Sequence, residues 1–178
     1  TQNFDFEWRN YSFGVQPDVD HFRASKCLDI AGCDIYHPTQ SKLTGKEIAF
    51  GGDMTRSLKQ DNYYVLETEA QGFAQWVPYD GQLRLQAFSH LAGGADCVEY
   101  WHWHSIHNSF ETYWRGLLSH DFAENKTYKE AVVIGSEMKR LGSRLIHLKK
   151  QNKVAIMVSN EALTGLKWFP IGGGTEMS

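Results

Sequence analysis

The stretch Tyr63-Tyr64-Val65-Leu66-Glu67-Thr68-Glu69 decides how the rest of the chain is read. Aromatic and β-branched residues run together, as a buried strand requires. The run then ends in two carboxylates. A buried strand that delivers carboxylates to its end incurs a desolvation cost unless they have partners or a task. Glu67 and Glu69 are two apart, which predicts that both point to one side of the strand.

Moving outward, the flanks repeat one rhythm. Upstream, TQNF (1–4) reads as the end of a short strand, and 6–17 as an aromatic-rich loop. A helix is expected over Val19 to Ala31, with Asp18 as N-cap, Val19, Phe22, Cys27 and Leu28 as its buried side, and Gly32 as its stop. CDIYHP (33–38) is a short apolar strand closed by proline. EIAFGGDMTRSLK (47–59) is a helix expected to be interrupted at Gly51-Gly52. Downstream come a loop from Ala70 to Gly81 carrying Trp76, a helix over 83–93, and CVEYWHW (97–103) as a strand. This is the βα repeat of a parallel α/β fold, in which chemistry sits at the carboxyl ends of the strands. Asn3, Tyr36, Glu67, Trp103 and Glu111 all fall at those ends.

After the surface stretch FAENKTYKE, a long helix is expected over Lys129 to Lys150. Ile134, Met138, Leu141, Leu145 and Leu148 make its apolar face, and Lys149, Lys150 and Lys153 its basic end. KVAIMVSN (153–160) reads as a buried strand opening a second unit. The repeat alone fits either half of a (β/α)8 barrel or a complete small α/β domain.

Composition narrows the function. The chain has 178 residues, 42% of them hydrophobic and 22% charged, so it is globular, with enough length for a real core. A net charge of −3 gives no basic excess to recruit nucleic acid or an anionic membrane. No apolar run approaches the roughly 18 residues of a membrane span. No signal peptide and no initiator Met open the chain, which points to a piece of something longer. Cys27, Cys33 and Cys97 are unclustered and read as small buried hydrophobes in a reducing, cytoplasmic setting. Aromatic content stands out at 13%, with six Trp. Trp among Glu, His and Asn is how proteins bind sugars, the ring stacking on a pyranose while polar groups take its hydroxyls.

The chemistry-bearing residues admit alternatives. Glu67 is either a nucleophile or one half of a salt bridge to a strand-end Arg. Glu67 and Glu69 together are not both catalytic groups of a glycosidase. A retaining enzyme needs carboxyls about 5–5.5 Å apart on opposite sides of the bond, whereas neighbours on one strand approach from one direction. His102, His104 and His107 could be a metal site by spacing, but no carboxylate or Cys joins them, and Trp and Asn neighbours suit sugar or structural hydrogen bonding. Glu111 with Trp114 makes a hydroxyl-plus-stacking pair or an ordinary surface pattern. Asn108 and Asn3 serve equally as loop caps.

From VLETE through QWVPYDGQLRLQAFSHLAGGADCVEYWHWHSIHNSFETYWRGLLSHD, the chain resembles the β-galactosidases of glycoside hydrolase family 42. TQNF, CDIYHP and EIAFGGDMTRSLK resemble the preceding part of the same catalytic domain. The resemblance implies the C-terminal half (strands 5–8) of a (β/α)8 TIM barrel over residues 1–150. The tail KVAIMVSNEALTGLKWFP implies the first strand of a flavodoxin-like trimerisation domain over 151–178. It further implies a bacterial, retaining hydrolase that removes terminal non-reducing β-D-galactose from oligosaccharides through a galactosyl-enzyme. Glu67 matches the nucleophile. The acid/base Glu of the family's Asn-Glu motif has no counterpart in these residues. Trp76 matches the Trp bordering the galactose pocket, and Glu111 the Glu that takes galactose hydroxyls. Trp114 replaces a His of many members, which suggests stacking there. Trp103 would wall the pocket, with Tyr36, His107 and Asn108 beside it. No metal and no cofactor are implied, and the partners are a β-galactoside and a homotrimer of the chain. Two alternatives stand: a non-catalytic fragment lacking the acid/base strand, and action on α-L-arabinopyranosides.

Overall fold

The structure, a computed structural model, describes residues 2–3, 20–37, 39–40, 43–71 and 77–171. Its centre is a four-stranded parallel sheet in the order β1-β2-β3-β4: β1 Gln2–Asn3, β2 Gly32–Asp34, β3 Tyr63–Glu69 and β4 Ala95–Trp101. The helices are α1 His21–Ala24, α2 Lys46–Lys59, α3 Gln82–Ala92, α4 Lys126–Leu145 and α5 Asn160–Trp168. For sequential parallel neighbours, the rule that crossovers are right-handed puts the connecting helices on one face. Ala31, Cys33, Ile35, Ile48, Tyr63, Val65 and Ala95 bury the sheet against α2 on that face. Leu83, Ala87 and Ile134 continue the core between α3 and α4. Tyr64 and Leu66, which alternate with the buried pair Tyr63 and Val65, are only half-buried.

One irregularity in the sheet governs the site. Cys33 pairs with Val65, yet the next residue, Asp34, pairs with Glu67. On the other side Val65 pairs with Val98 and Thr68 with Tyr100. β3 therefore carries an extra residue between Val65 and Thr68 against both neighbours, a β-bulge. Unbroken alternation would have put Glu67 on the helix face with Tyr63 and Val65. The bulge turns it instead toward Tyr36.

Several elements differ from expectation. The helix predicted over Val19–Ala31 is one turn, His21–Ala24, followed by a 3-10 turn Ser25–Cys27. Its N-cap is Asp20, whose side chain accepts from Arg23 N at 2.9 Å; Asp18 and Val19 lie outside the described residues. The buried positions there are His21 and Ser25, while Phe22 and Cys27 are exposed. Gly32 opens β2 rather than closing a helix, because strand pairing with Tyr64 outweighs its C-cap preference. β4 lies two residues earlier than expected, leaving Trp103 beyond it. α4 starts three residues early on an Asn125 cap and ends at Leu145, so Lys149 and Lys150 reach Asp61 and Asp53 instead of the helix end. Residues 154–158 join no strand, and Val154, Ile156 and Met157 are exposed; the chain then turns into α5 under a Ser159 cap. Among the described residues no helix is long and apolar enough to cross a membrane.

Gly51 and Gly52 do not interrupt α2, which runs unbroken from Lys46 to Lys59. Both glycines are buried, and a Cβ on Gly52 would overlap Tyr63 Oη. The missing side chain lets the helix settle on a fully buried tyrosine. Gly135 in α4 has nothing within 4 Å of where its Cβ would be. The two glycines therefore predict opposite signs. Gly52→Ala destabilises the protein by about 1–3 kcal/mol through overpacking, despite a better helix propensity. Gly135→Ala stabilises it by about 0.5–1 kcal/mol. Thermal melts of the two variants check both.

Candidate active site

β2 and β3 end side by side, with Asp34, the last residue of β2, in register with Glu67. Tyr36 lies two residues beyond the end of β2, and its Oη donates to Glu67 Oε1 at 2.6 Å. That is the length of a charge-assisted O–H···O contact. Burial and the Glu67 bond both push the Tyr36 phenol upward, so it remains a donor. Among the described residues no Arg or Lys pairs with Glu67, which leaves Tyr36 where the salt-bridge alternative wanted a cation. Asp34, two residues before Tyr36 and in register with Glu67, is 8% exposed. Its carboxyl is pushed up to about 7, first by burial and then by the charge of Glu67.

Trp114 is buried, and its ring lies 5.4 Å from that of Tyr36 at 51°. The loop after β4 carries it there. Leu117 N donates to His102 O at 2.7 Å, Leu118 N to Trp103 O at 3.0 Å and Ser105 N to Leu118 O at 2.9 Å, folding the loop into a closed flap. Gly116 sits in the fold of that flap, where any Cβ would meet the backbone of His102 and His104. Trp114 N in turn donates to Glu111 O at 3.0 Å, tying Glu111 to the same turn.

The predicted residues thus divide. Tyr36, Glu67 and Trp114 form one contiguous cluster, with half-buried Glu111 attached through the backbone. His107 is engaged elsewhere: its ring stacks on Phe122 at 4.7 Å, and Nε2 is bonded to His120 O. Trp103 is 58% exposed and meets the Tyr128 ring of α4 edge-on at 6.0 Å. Asn108 is exposed. His102 and His104 lie past β4 rather than on it, and the Nδ1 of each binds a backbone oxygen, of His104 and Ser105 respectively. Trp76 lies outside the described residues.

Two features of the site were not anticipated. Asp34 hides inside CDIYHP, where it reads as an ordinary strand residue; its spacing of two from Tyr36 was the available signal. Glu69 is not a twin of Glu67. It is fully buried, and its Oε1 lies 3.0 Å from both the backbone N and the Nδ1 of His37.

A family model described as β-galactosidase matches residues 3–141. The β-galactosidase LacZ of Lactobacillus acidophilus is 29% identical over 145 residues, covering 78% of this chain and 21% of the relative. The β-galactosidase BgaA of Clostridium cellulovorans is 25% identical over 149 residues, covering 79% and 22%. Among solved structures, the β-galactosidase from Bacillus circulans sp. alkalophilus superposes with a TM-score of 0.75 at 24% identity, over 86% of this chain and 23% of that one. That from the psychrophilic Marinomonas ef1 gives 0.73 at 24%, over 85% and 27%. The chain therefore spans less than a third of the length of these relatives, and shares with the solved ones an α/β fold built on a parallel sheet. By the match over residues 3–141, this chain belongs to the β-galactosidase family glycoside hydrolase 42.

Proposed function

We propose that these residues supply the nucleophile side of a retaining β-galactosidase site. The observation that carries the reading is the bond from Tyr36 Oη to Glu67 Oε1, made where two adjacent parallel strands end. Glu67 attacks the anomeric carbon of a terminal β-D-galactoside. The C1–O bond to the leaving sugar breaks as the ester to Glu67 forms, and water later hydrolyses that ester. An O–H donor held against one carboxylate oxygen keeps the other aligned for attack. Trp114 backs Tyr36, and Glu111 and Trp76 take the galactose. The proton for the leaving group comes from a carboxylic acid outside these 178 residues. In this reading the chain is the C-terminal half of a TIM barrel, strands five to eight. The exposed apolar run 154–157 begins a second domain, which in the cytoplasmic protein holds a homotrimer together.

A 2-deoxy-2-fluoro-β-galactosyl reagent tests this in the full-length protein. Peptide mass spectrometry is expected to find one galactosyl adduct, on the Glu67 peptide. Glu67→Gln is expected to lower kcat by at least about a thousandfold without unfolding the protein. An adduct on another peptide, or near-normal turnover by Glu67→Gln, would exclude Glu67 as nucleophile.

Tyr36→Phe removes one hydrogen bond to a charged group, a contribution of about 1.5–3 kcal/mol. The expected result is a roughly 10- to 100-fold lower kcat on an aryl β-galactoside, with the melting temperature little changed.

Asp34 adds a pH signature. Its folded-state pKa of about 7 lies above the 3.8 of a free aspartate side chain. Between those values the unfolded chain has released the proton while the folded chain keeps it. Stability therefore falls as pH rises from about 4 to about 7, and the loss is complete above that. Asp34→Asn is expected to flatten this part of the stability profile, measured by urea unfolding at several pH values.

A further inference from the structure

Behind the Tyr36–Glu67 pair lies a sealed polar network that the proposed chemistry does not use. Glu69 is 2% exposed. Its Oε1 takes the backbone N–H of His37, the residue after Tyr36, at 3.0 Å, and faces His37 Nδ1 at 3.0 Å. Its Oε2 lies 3.1 Å from Thr68 Oγ1. Thr68 Oγ1 also lies 2.8 Å from Ile35 O and receives Gln86 Nε2 of α3 at 2.8 Å. Every residue of the network except Gln86 belongs to the ends of β2 or β3.

The protons in this network can be counted. Ile35 O is a carbonyl and can only accept, so the single Thr68 hydroxyl proton goes to it at the shorter distance. Gln86 donates to the same Thr68 oxygen. The Thr68 hydroxyl then has no second proton for Glu69 Oε2, although the two oxygens sit at hydrogen-bond distance in a site without solvent. An anionic oxygen there would face the lone pairs of Thr68 Oγ1 with no proton between them. A proton on Oε2, given to Thr68 Oγ1, satisfies this contact and leaves the Thr68 bond to Ile35 O intact.

We propose that Glu69 is held as the neutral carboxylic acid and acts as a positioning residue, its two oxygens clamping the His37 peptide to Thr68 so that Tyr36 stays against Glu67. This rests on reading Tyr36 and Glu67 as the reacting wall of the site. The clamp joins the position after Tyr36 to the position two beyond Glu67, and so sets the separation between the strand ends. Burial is the largest influence on the Glu69 carboxyl and pushes it upward, while His37, the backbone N–H groups of Glu69 and His37 and the Thr68 hydroxyl pull it down. From α3, His90 is fully buried and is held down to about 3 by burial and by His37, so it supplies no compensating cation.

The test uses the full-length protein and two readouts. In infrared difference spectra at neutral pH, wild type minus Glu69→Gln is expected to show the C=O band of a protonated carboxyl. A difference containing only ionised-carboxylate bands would overturn the neutral assignment, whatever reaction the protein catalyses. On an aryl β-galactoside, Glu69→Ala is expected to lower kcat by up to about 100-fold with a smaller change in KM. Glu69→Gln, which can accept from His37 and donate to Thr68, is expected to restore kcat to within about threefold of wild type. Equal impairment of both variants would mean that Glu69 acts through charge and would overturn the proposal, as would an Ala variant with wild-type kcat. A wild-type protein inactive on every β-galactoside would refute the function while leaving the infrared result to decide the state of Glu69.

Discussion

The extra residue in β3 is the constraint on which the site depends. A strand has a period of two, and one inserted residue reverses every side chain beyond it. Up to Val65 the odd-numbered residues of β3 pack on α2. Beyond the bulge Glu67 points to the opposite face and meets Tyr36, while Thr68 turns to Gln86 on α3. The sheet thereby uses one continuous strand for two purposes, a core staple at its start and a carboxylate presented to Tyr36 at its end. Gly32 stands next to the irregularity, and a Cβ there would press on Leu66, with its Cγ 3.0 Å away. The bulge thus rests on a neighbour that has no side chain.

Much of the framework was legible because runs of β-branched and aromatic residues between polar turns announce strands. Tyr63–Glu69 was read residue for residue, since β-branched and aromatic residues run unbroken between polar turns. The nucleophile candidate followed from a carboxylate at the end of such a strand. Elements whose boundaries depend on tertiary contacts were less legible. Gly51-Gly52 looked like a break, and only the position of Tyr63 Oη shows why a helix with no side chain there is favoured. The KVAIMVSN segment was read as a buried strand on its β-propensity, yet Val154, Ile156 and Met157 are exposed and the segment joins no strand among the described residues. Propensity is realised as a strand only where a neighbouring edge accepts the hydrogen bonds. The bulge was illegible for a similar reason. It exists only in the pairing with β2 and β4, so nothing in the strand's own residues announced it.

Three acidic residues, Asp34, Glu67 and Glu69, converge on the ends of two strands, and their environments assign them different tasks. Glu69 is sealed from solvent and surrounded by a fixed set of partners, which suits a group that must not move. Asp34 is nearly sealed, and with Glu67 beside it retains its proton to about 7. Glu67 alone is half-buried and presented to an O–H donor, which leaves it reachable by a ligand. Desolvation sets Asp34 and Glu69 apart from Glu67. The bulge sets the face on which Glu67 emerges: without the extra residue before it, Glu67 would lie against the helices and away from Tyr36.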